Sequence, residues 1–125
     1  MFAPAHSATV LVVEDDSPLR DLYKGVLSAN RYRVLTAPDG LSALELIDIE
    51  RPDVVVLDLG LPLVSGWDVY RDLRSRPETE KLPVIIVTGH ERKGIRAKDV
   101  ALFLKKPVDP LVLADAVDEA LRRSR

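Results

Sequence analysis

The residues best able to do chemistry in this chain follow runs of apolar residues. Asp58 comes directly after Val54–Leu57, and Glu14 and Asp15 come directly after Val10–Val13. A carboxylate at the end of a buried strand is costly unless a partner compensates its charge. If both runs are strands of one parallel sheet, their carboxyl ends meet at one edge and the carboxylates converge there. The sequence therefore predicts a cation site formed by Glu14, Asp15 and Asp58.

Two further polar residues belong to the same predicted edge. Thr88 ends a fourth-strand candidate, and Lys106 follows a fifth. Carboxylate oxygens without nearby histidine or thiolate favour Mg²⁺, with Mn²⁺ as a substitute. An ammonium and a hydroxyl can hold the oxygens of a tetrahedral anion. Together these groups suit phosphoryl transfer to an aspartate.

Each of these residues also has a structural interpretation when it is taken alone. Asp16, next to the acidic pair, is as well suited to capping a helix as to binding a cation. Thr88 alone resembles a routine strand-end threonine, and Lys106 alone resembles a surface lysine. Their joint position at successive strand ends favours the functional interpretation.

Composition limits the class of protein. The chain has 125 residues, 46% of them hydrophobic and 30% charged, which fits a single globular domain. A net charge of −2 gives no electrostatic footprint for nucleic acid or an anionic membrane. The absence of cysteine excludes disulfides and thiolate metal sites. Residues 1–7 lack the features of a signal peptide, so we expect a disordered lead, then one domain over residues 8–125, in the cytoplasm.

Short β-branched runs alternate with helical periods along the chain. The predicted strands are Thr9–Val13, Arg33–Thr36, Val54–Asp58, Val84–Thr88 and Ala101–Leu104. Helix starts are predicted at Ser17-Pro18, Asp39-Gly40, Ser65-Gly66 and Asp109-Pro110. The apolar residues expected on the inner faces of these helices include Leu22, Leu41 and Leu111. The polar segment 89–99 predicts only a shortened or irregular fourth helix. This alternation indicates a doubly wound α/β sandwich, with ligands at the carboxyl ends of its strands.

The ordered motifs resemble the receiver domain of response regulators, the CheY-like family, over residues 8–123. The matching segments are Val10–Asp16, Asp39-Gly40, Val55–Pro62, Gly66, Val84–Gly89 and Phe103–Pro107. Asp58 follows Asp15 by 43 residues and precedes Thr88 by 30, intervals that also suit this family. The resemblance implies a (βα)5 sandwich whose five-stranded parallel sheet has the order 2-1-3-4-5. Lys106 follows Thr88 by only 18 residues, and this short interval is the main departure from the family.

The resemblance also implies the roles of the site residues. Asp58 would be the phosphoacceptor. Asp15 would bind Mg²⁺ directly and Glu14 mainly through water, while the backbone carbonyl of Gly60 would complete the protein ligands. Lys106 would contact the phosphoryl oxygens, and we expect its peptide bond to Pro107 to be cis.

A second group of residues would control switching and phosphoryl lifetime. Thr88 would contact the phosphoryl group and move inward, which leaves space for the switch aromatic Phe103 to turn in. Gly60 and His90 occupy the two positions that tune dephosphorylation in family members. Gly60 has no side chain to shield the acyl phosphate from water.

The implied function is a signalling domain that catalyses only its own phosphotransfer and autodephosphorylation. Its partners would be a histidine kinase or phosphotransfer protein and an unknown downstream protein, without direct binding to nucleic acid or membrane. It would be a monomer or a weak, phosphorylation-dependent dimer. The alternative is a phosphorylation-independent interaction module with the same fold.

Overall fold

The computed structural model describes residues 8–89 and 101–124. The predictions about residues 1–7, His90 and a fourth helix within 90–99 lie outside these ranges. The described strands are β1 (Thr9–Val13), β2 (Arg33–Ala37), β3 (Val54–Leu57), β4 (Val84–Thr88) and β5 (Leu102–Lys105). The described helices are α1 (Ser17–Ala29), α2 (Gly40–Glu50), α3 (Gly66–Ser75) and α4 (Pro110–Arg123).

The five strands form one parallel sheet in the order β2-β1-β3-β4-β5. This arrangement confirms both the α/β class and the predicted strand order. The three apolar runs without alternation, β1, β3 and β4, occupy the centre, as expected for strands covered on both faces. The more polar β2 lies at one edge, with β5 at the other. All five strands point their carboxyl ends to the same edge of the sheet.

Helices cover both faces of the sheet, and alternate residues of each strand enter two separate cores. One core contains Leu11, Val13, Val55, Leu57 and Ile86 and packs against α2 and α3. The other contains Val10, Val12, Val56, Ile85 and Val87 and packs against α1 and α4. Because the central strands are buried from both sides, the residues that follow them begin from a rigid base.

The helix starts are fixed by side-chain caps. Asp39, Ser65 and Asp109 cap α2, α3 and α4 as predicted, and Ser65 forms a reciprocal capping box with Asp68. The prediction for α1 was wrong by one residue, since its cap is Asp16. The Asp16 carboxylate accepts a hydrogen bond of 3.2 Å from the Leu19 amide. Asp16 thus has a structural role at the edge where the acidic residues gather.

Three apolar residues predicted to face the core are largely exposed. Leu22 is 49% exposed, Leu41 58% and Leu111 67%. Each lies at the margin of its helix's apolar stripe, while neighbours such as Tyr23 and Leu113 fill the interface with the sheet. Strand boundaries also differ slightly from prediction. The hydrogen-bonded ladder extends β2 to Ala37, ends β3 at Leu57 and shifts β5 to 102–105.

Candidate functional site

Three of the predicted site residues are anchored by backbone hydrogen bonds just beyond the ends of their strands. Glu14, Asp58 and Lys106 are each the first residue after a strand, and each donates its amide to the last residue of a neighbouring strand. The bonds are Glu14 N to Ala37 O at 3.1 Å, Asp58 N to Val13 O at 3.1 Å, and Lys106 N to Thr88 O at 2.9 Å. The sheet itself therefore positions these residues.

The acidic residues converge as predicted. Glu14, Asp15 and Asp58 can each direct one carboxylate oxygen to a common point, and these oxygens lie within 4.8 Å of one another. Glu14 is 2% exposed and Asp58 7%, whereas Asp15 is open to solvent. Oxygens on opposite sides of a Mg²⁺ ion lie about 4 Å apart. The donor type and spacing therefore fit a hard divalent cation that enters from the Asp15 side.

Lys106 joins two of these carboxylates. Its Nζ lies 2.7 Å from Glu14 Oε1 and 3.3 Å from Asp58 Oδ2. Burial alone would lower the pKa of Lys106, but the hydrogen bond to Glu14 and the charges of Asp58 and Glu14 outweigh burial and raise it. The ammonium therefore stays charged at neutral pH, where it offsets part of the negative charge.

Glu14 is the most confined member of the cluster. Desolvation by burial raises the pKa of its carboxyl, and the nearby Asp58 charge adds to that effect, although hydrogen bonds from Lys106 and the Asp16 amide oppose it. The Asp16 amide donates to Glu14 Oε2 at 3.2 Å. Glu14 thus has a partner at each oxygen, as a buried carboxylate requires.

The Asp58 carboxylate is also held at both oxygens. The amide of Gly60 donates to Oδ1 at 3.1 Å, while Lys106 donates to Oδ2. Because the Gly60 amide turns toward Asp58, the tight turn after β3 orients this carboxylate. The binding of a cation by the Gly60 carbonyl stays a prediction.

Arg20 also contributes to the site, although it is not among the residues predicted from the sequence. Its guanidinium donates to the backbone carbonyl of Glu14 at 2.9 Å and so ties α1 to the turn that carries Glu14 and Asp15. An arginine in the first turn of the helix after an acidic pair was the available signal. On its own, that signal does not distinguish an anchor from an exposed arginine.

Gly66 is a second contributor, and its importance is steric. A Cβ atom at this position would lie 2.0 Å from the carbonyl oxygen of Asp58 and 2.5 Å from the Cα of Leu59. The start of α3 therefore lies directly against the backbone of Asp58. Gly66 belongs to the motifs that resemble the receiver family, but the sequence alone does not predict this contact.

Thr88 and Phe103 lie on the same face of the sheet. Thr88 ends β4 and is fully buried, and Phe103 in β5 is partly buried against the core that contains Ile86. Ile86 is paired with Phe103 in the parallel register, and Thr88 is two residues beyond Ile86. Since side chains alternate along a strand, all three point to one face. This placement suits a coupled movement of Thr88 and Phe103.

Comparison with known proteins defines the class of this protein. A family model described as the response regulator receiver domain matches residues 10–118. The chain belongs to that family, whose members act in two-component signal transduction and interact with histidine kinases and downstream effectors.

Individual relatives agree with this assignment. The chain is 35% identical over 111 residues to the response regulator PleD of Caulobacter vibrioides, covering 86% of this chain and 24% of PleD. It is 36% identical over 123 residues to the response regulator MprA of Mycobacterium ulcerans, covering 95% of this chain and 49% of MprA. The chain thus spans a quarter to a half of the length of these relatives.

Solved structures share the fold. A response regulator receiver domain protein from Clostridium thermocellum superposes with a TM-score of 0.83 at 31% identity, covering 93% of this chain and 95% of that one. The chemotaxis response regulator CheY4 of Vibrio cholerae superposes with a TM-score of 0.82 at 25% identity, covering 93% and 100%. Within residues 8–89 and 101–124, no helix has the length and apolar character needed to span a membrane.

Proposed function

We propose that Asp58 accepts a phosphoryl group from the phosphohistidine of a histidine kinase or phosphotransfer protein. The observation that best supports this proposal is the arrangement around the Asp58 carboxylate. Carboxylate oxygens of Glu14 and Asp15 lie within 4.8 Å of one of its oxygens, and the Lys106 ammonium donates to its Oδ2 at 3.3 Å. A nearly buried carboxylate with both a cation-binding set and an ammonium beside it is suited to phosphoryl transfer.

In the proposed reaction, an Asp58 carboxylate oxygen attacks the phosphorus atom. The new O–P bond forms as the P–N bond to the donor imidazole breaks, and the imidazole nitrogen keeps the electron pair. Lys106 stabilises the negative charge on the phosphoryl oxygens because its ammonium is already 3.3 Å from Asp58 Oδ2. The Gly60 amide holds the other carboxylate oxygen and so orients the nucleophile.

The acidic cluster would hold Mg²⁺, with Mn²⁺ as a substitute. Asp15 would bind the ion directly and Glu14 mainly through water, with Asp58 and the Gly60 carbonyl as the other ligands. When bound, the ion neutralises charge on the carboxylates and on the transferred phosphoryl group. Arg20 supports this set because it fixes the backbone that carries Glu14 and Asp15.

Phosphorylation would change the conformation through Thr88 and Phe103. The Thr88 hydroxyl would donate to a phosphoryl oxygen, and its movement would open space for the Phe103 ring on the same face of the sheet. Hydrolysis would return the domain to its first state. Gly60 favours that step because its lack of a side chain leaves the acyl phosphate accessible to water.

The test is labelling with a small phosphodonor such as phosphoramidate. In the presence of Mg²⁺, intact-protein mass spectrometry should detect one added phosphoryl group, and Asp58→Asn should abolish it. Asp109→Asn is the matched control, because this substitution removes an exposed acid near the same edge and leaves a residue able to cap α4. Persistent labelling of Asp58→Asn would refute the assignment, and chelation of Mg²⁺ should suppress labelling of the unchanged protein.

Beryllofluoride distinguishes this function from the alternative interaction module. With Mg²⁺ it should raise the thermal unfolding temperature and alter the fluorescence of Trp67, the single tryptophan. The absence of any response would favour a phosphorylation-independent module. The domain bounds 8–125, the cytoplasmic location and a monomeric or weakly dimeric state stay predictions.

A further inference from the structure

Leu63 combines two properties that do not favour folding. Its residue surface is 98% exposed, the highest value among the exposed large hydrophobic residues in the described parts of the chain. Its backbone has φ of 64°, in the left-handed region that leucine avoids. An exposed apolar side chain gains nothing from burial, and the backbone conformation costs free energy. Strain of this kind is often retained for function.

The loop that carries Leu63 begins and ends beside Asp58. Residues 58–65 connect β3 to α3, and the Gly66 amide at the far end donates back to the Leu59 carbonyl at 3.2 Å. The contact of Gly66 with the Asp58 backbone holds that end in place. Leu63 therefore projects from a short closed loop at the rim of the acidic site.

The loop differs chemically from the site that it borders. None of residues 59–65 carries a charge, and Pro62 is exposed next to Leu63. Leu59 and Leu61, in contrast, are buried and fix the base of the loop. The site thus has an apolar projection beside a cluster of charges, which suits contact with a protein surface better than contact with a small ion.

We propose that Leu63 anchors the protein that delivers the phosphoryl group, by filling an apolar recess beside its phosphohistidine. This inference rests on the proposed function of Asp58. Because Asp58 is only 7% exposed, a protein-bound imidazole can reach it only if the donor surface lies over the rim. Because the loop that carries Leu63 closes against the Asp58 backbone at Gly66, a donor surface that lies over Asp58 also meets this loop, so the transient donor fits this position better than another segment of a longer protein.

The test compares a protein donor with a small one. Each autophosphorylated histidine kinase or phosphotransfer protein of the source organism is first tried with the unchanged domain, and the fastest donor is kept. Leu63→Asn should lower kcat/KM for transfer from that donor by about tenfold or more, as loss of an interface anchor does. Labelling by phosphoramidate should stay within about twofold, because this donor has no surface to dock.

Two variants serve as controls. Leu63→Met keeps an apolar side chain and should retain most of the protein-donor rate. Ile49→Asn removes another exposed apolar residue, 73% exposed, near the end of α2. Because α2 starts at the site edge and runs away from it, Ile49 lies toward the opposite edge, and this substitution should leave both rates unchanged.

The outcomes separate the two proposals. A normal rate of phosphoryl transfer from the protein donor to Leu63→Asn would overturn the proposed anchor. If this variant instead weakens contact with the rest of a longer protein, Leu63 belongs to that contact. Equal losses with both donors would also overturn it, because they would indicate a distorted site. The anchor would also be overturned if phosphoramidate labels the unchanged domain but no kinase or phosphotransfer protein transfers a phosphoryl group to it. Failure of phosphoramidate to label the unchanged domain would instead refute the proposed function.

Discussion

Replacing Gly66 by alanine tests the close approach of α3 to Asp58. The added Cβ would lie 2.0 Å from the Asp58 carbonyl oxygen and 2.5 Å from Leu59 Cα. Nonbonded heavy atoms are most stable about 3.5 Å apart, so the start of α3 has to move away from β3 by roughly 1–1.5 Å. Both opposing atoms belong to the backbone, and no side-chain rotation can relieve the contact.

The magnitude follows from two opposing effects. Overpacking of this kind costs about 1–3 kcal/mol, and a backbone clash belongs at the upper end. Alanine stabilises a helix more than glycine does, and this difference offsets about 0.5–1 kcal/mol of the cost. We therefore expect Gly66→Ala to lower the free energy of unfolding by about 2 kcal/mol. It should also slow phosphoramidate labelling, because the Asp58 backbone moves with the turn.

Gly25 provides the matched control. It lies inside α1, it is exposed, and an added Cβ would meet nothing within 4 Å. Gly25→Ala should therefore raise the free energy of unfolding by about 0.5–1 kcal/mol. Urea unfolding followed by far-UV circular dichroism measures both variants on the same scale. Equal stability of the two variants would refute the steric argument.

Three further predictions concern stability. Ser65→Ala should lower the free energy of unfolding by about 1 kcal/mol, since it removes the cap that accepts from the Asp68 amide; an unchanged urea midpoint would contradict this. Hydrogen bonds from Ser42 hold the pKa of Asp39 below its ordinary value of 3.8. The Asp39 carboxylate therefore stabilises the fold fully when the pH is above 3.8, and this stabilisation is lost as the pH falls through the lower pKa of the folded state. Asp39→Asn keeps a capping side chain but should flatten the acid decline of the unfolding temperature between about pH 5 and about pH 2, and an unchanged slope would count against this role. Leu63→Asn should raise the free energy of unfolding by up to about 1 kcal/mol, because asparagine tolerates the left-handed backbone better; a clear loss in urea unfolding would show that Leu63 stabilises the loop.

The sequence predicted the sheet well because the central strands are buried on both faces. Such strands must be continuous apolar runs, and β1 and β4 have the bounds that those runs indicate. The edge strands were less accurate because β2 and β5 contain polar residues, so their ends depend on pairing with a neighbour. The exposed Leu22 and Leu41 show the same limit for helices. Periodicity identifies the apolar stripe but not how far the sheet extends beneath it.

The acidic cluster was predictable for a topological reason. Parallel strands bring their carboxyl ends together, so Glu14, Asp15 and Asp58 had to meet once the strands were assigned. The partners of Lys106 were less predictable, because the spacing of the residues does not reveal that its Nζ is nearer to Glu14 than to Asp58. The Gly66 contact and the Leu63 backbone also depend on the path of one loop. Composition and spacing do not determine that path.

The anchoring of Glu14, Asp58 and Lys106 to neighbouring strands separates two properties of this domain. Their positions depend on the sheet, whereas the surfaces that a partner first meets depend on the connecting loops. If Leu63 contacts the phosphodonor protein as proposed, substitutions there would change which protein is accepted while the charged groups keep their geometry. Recognition and chemistry can then change independently in evolution, with a change of partner needing no rebuilding of the reaction centre.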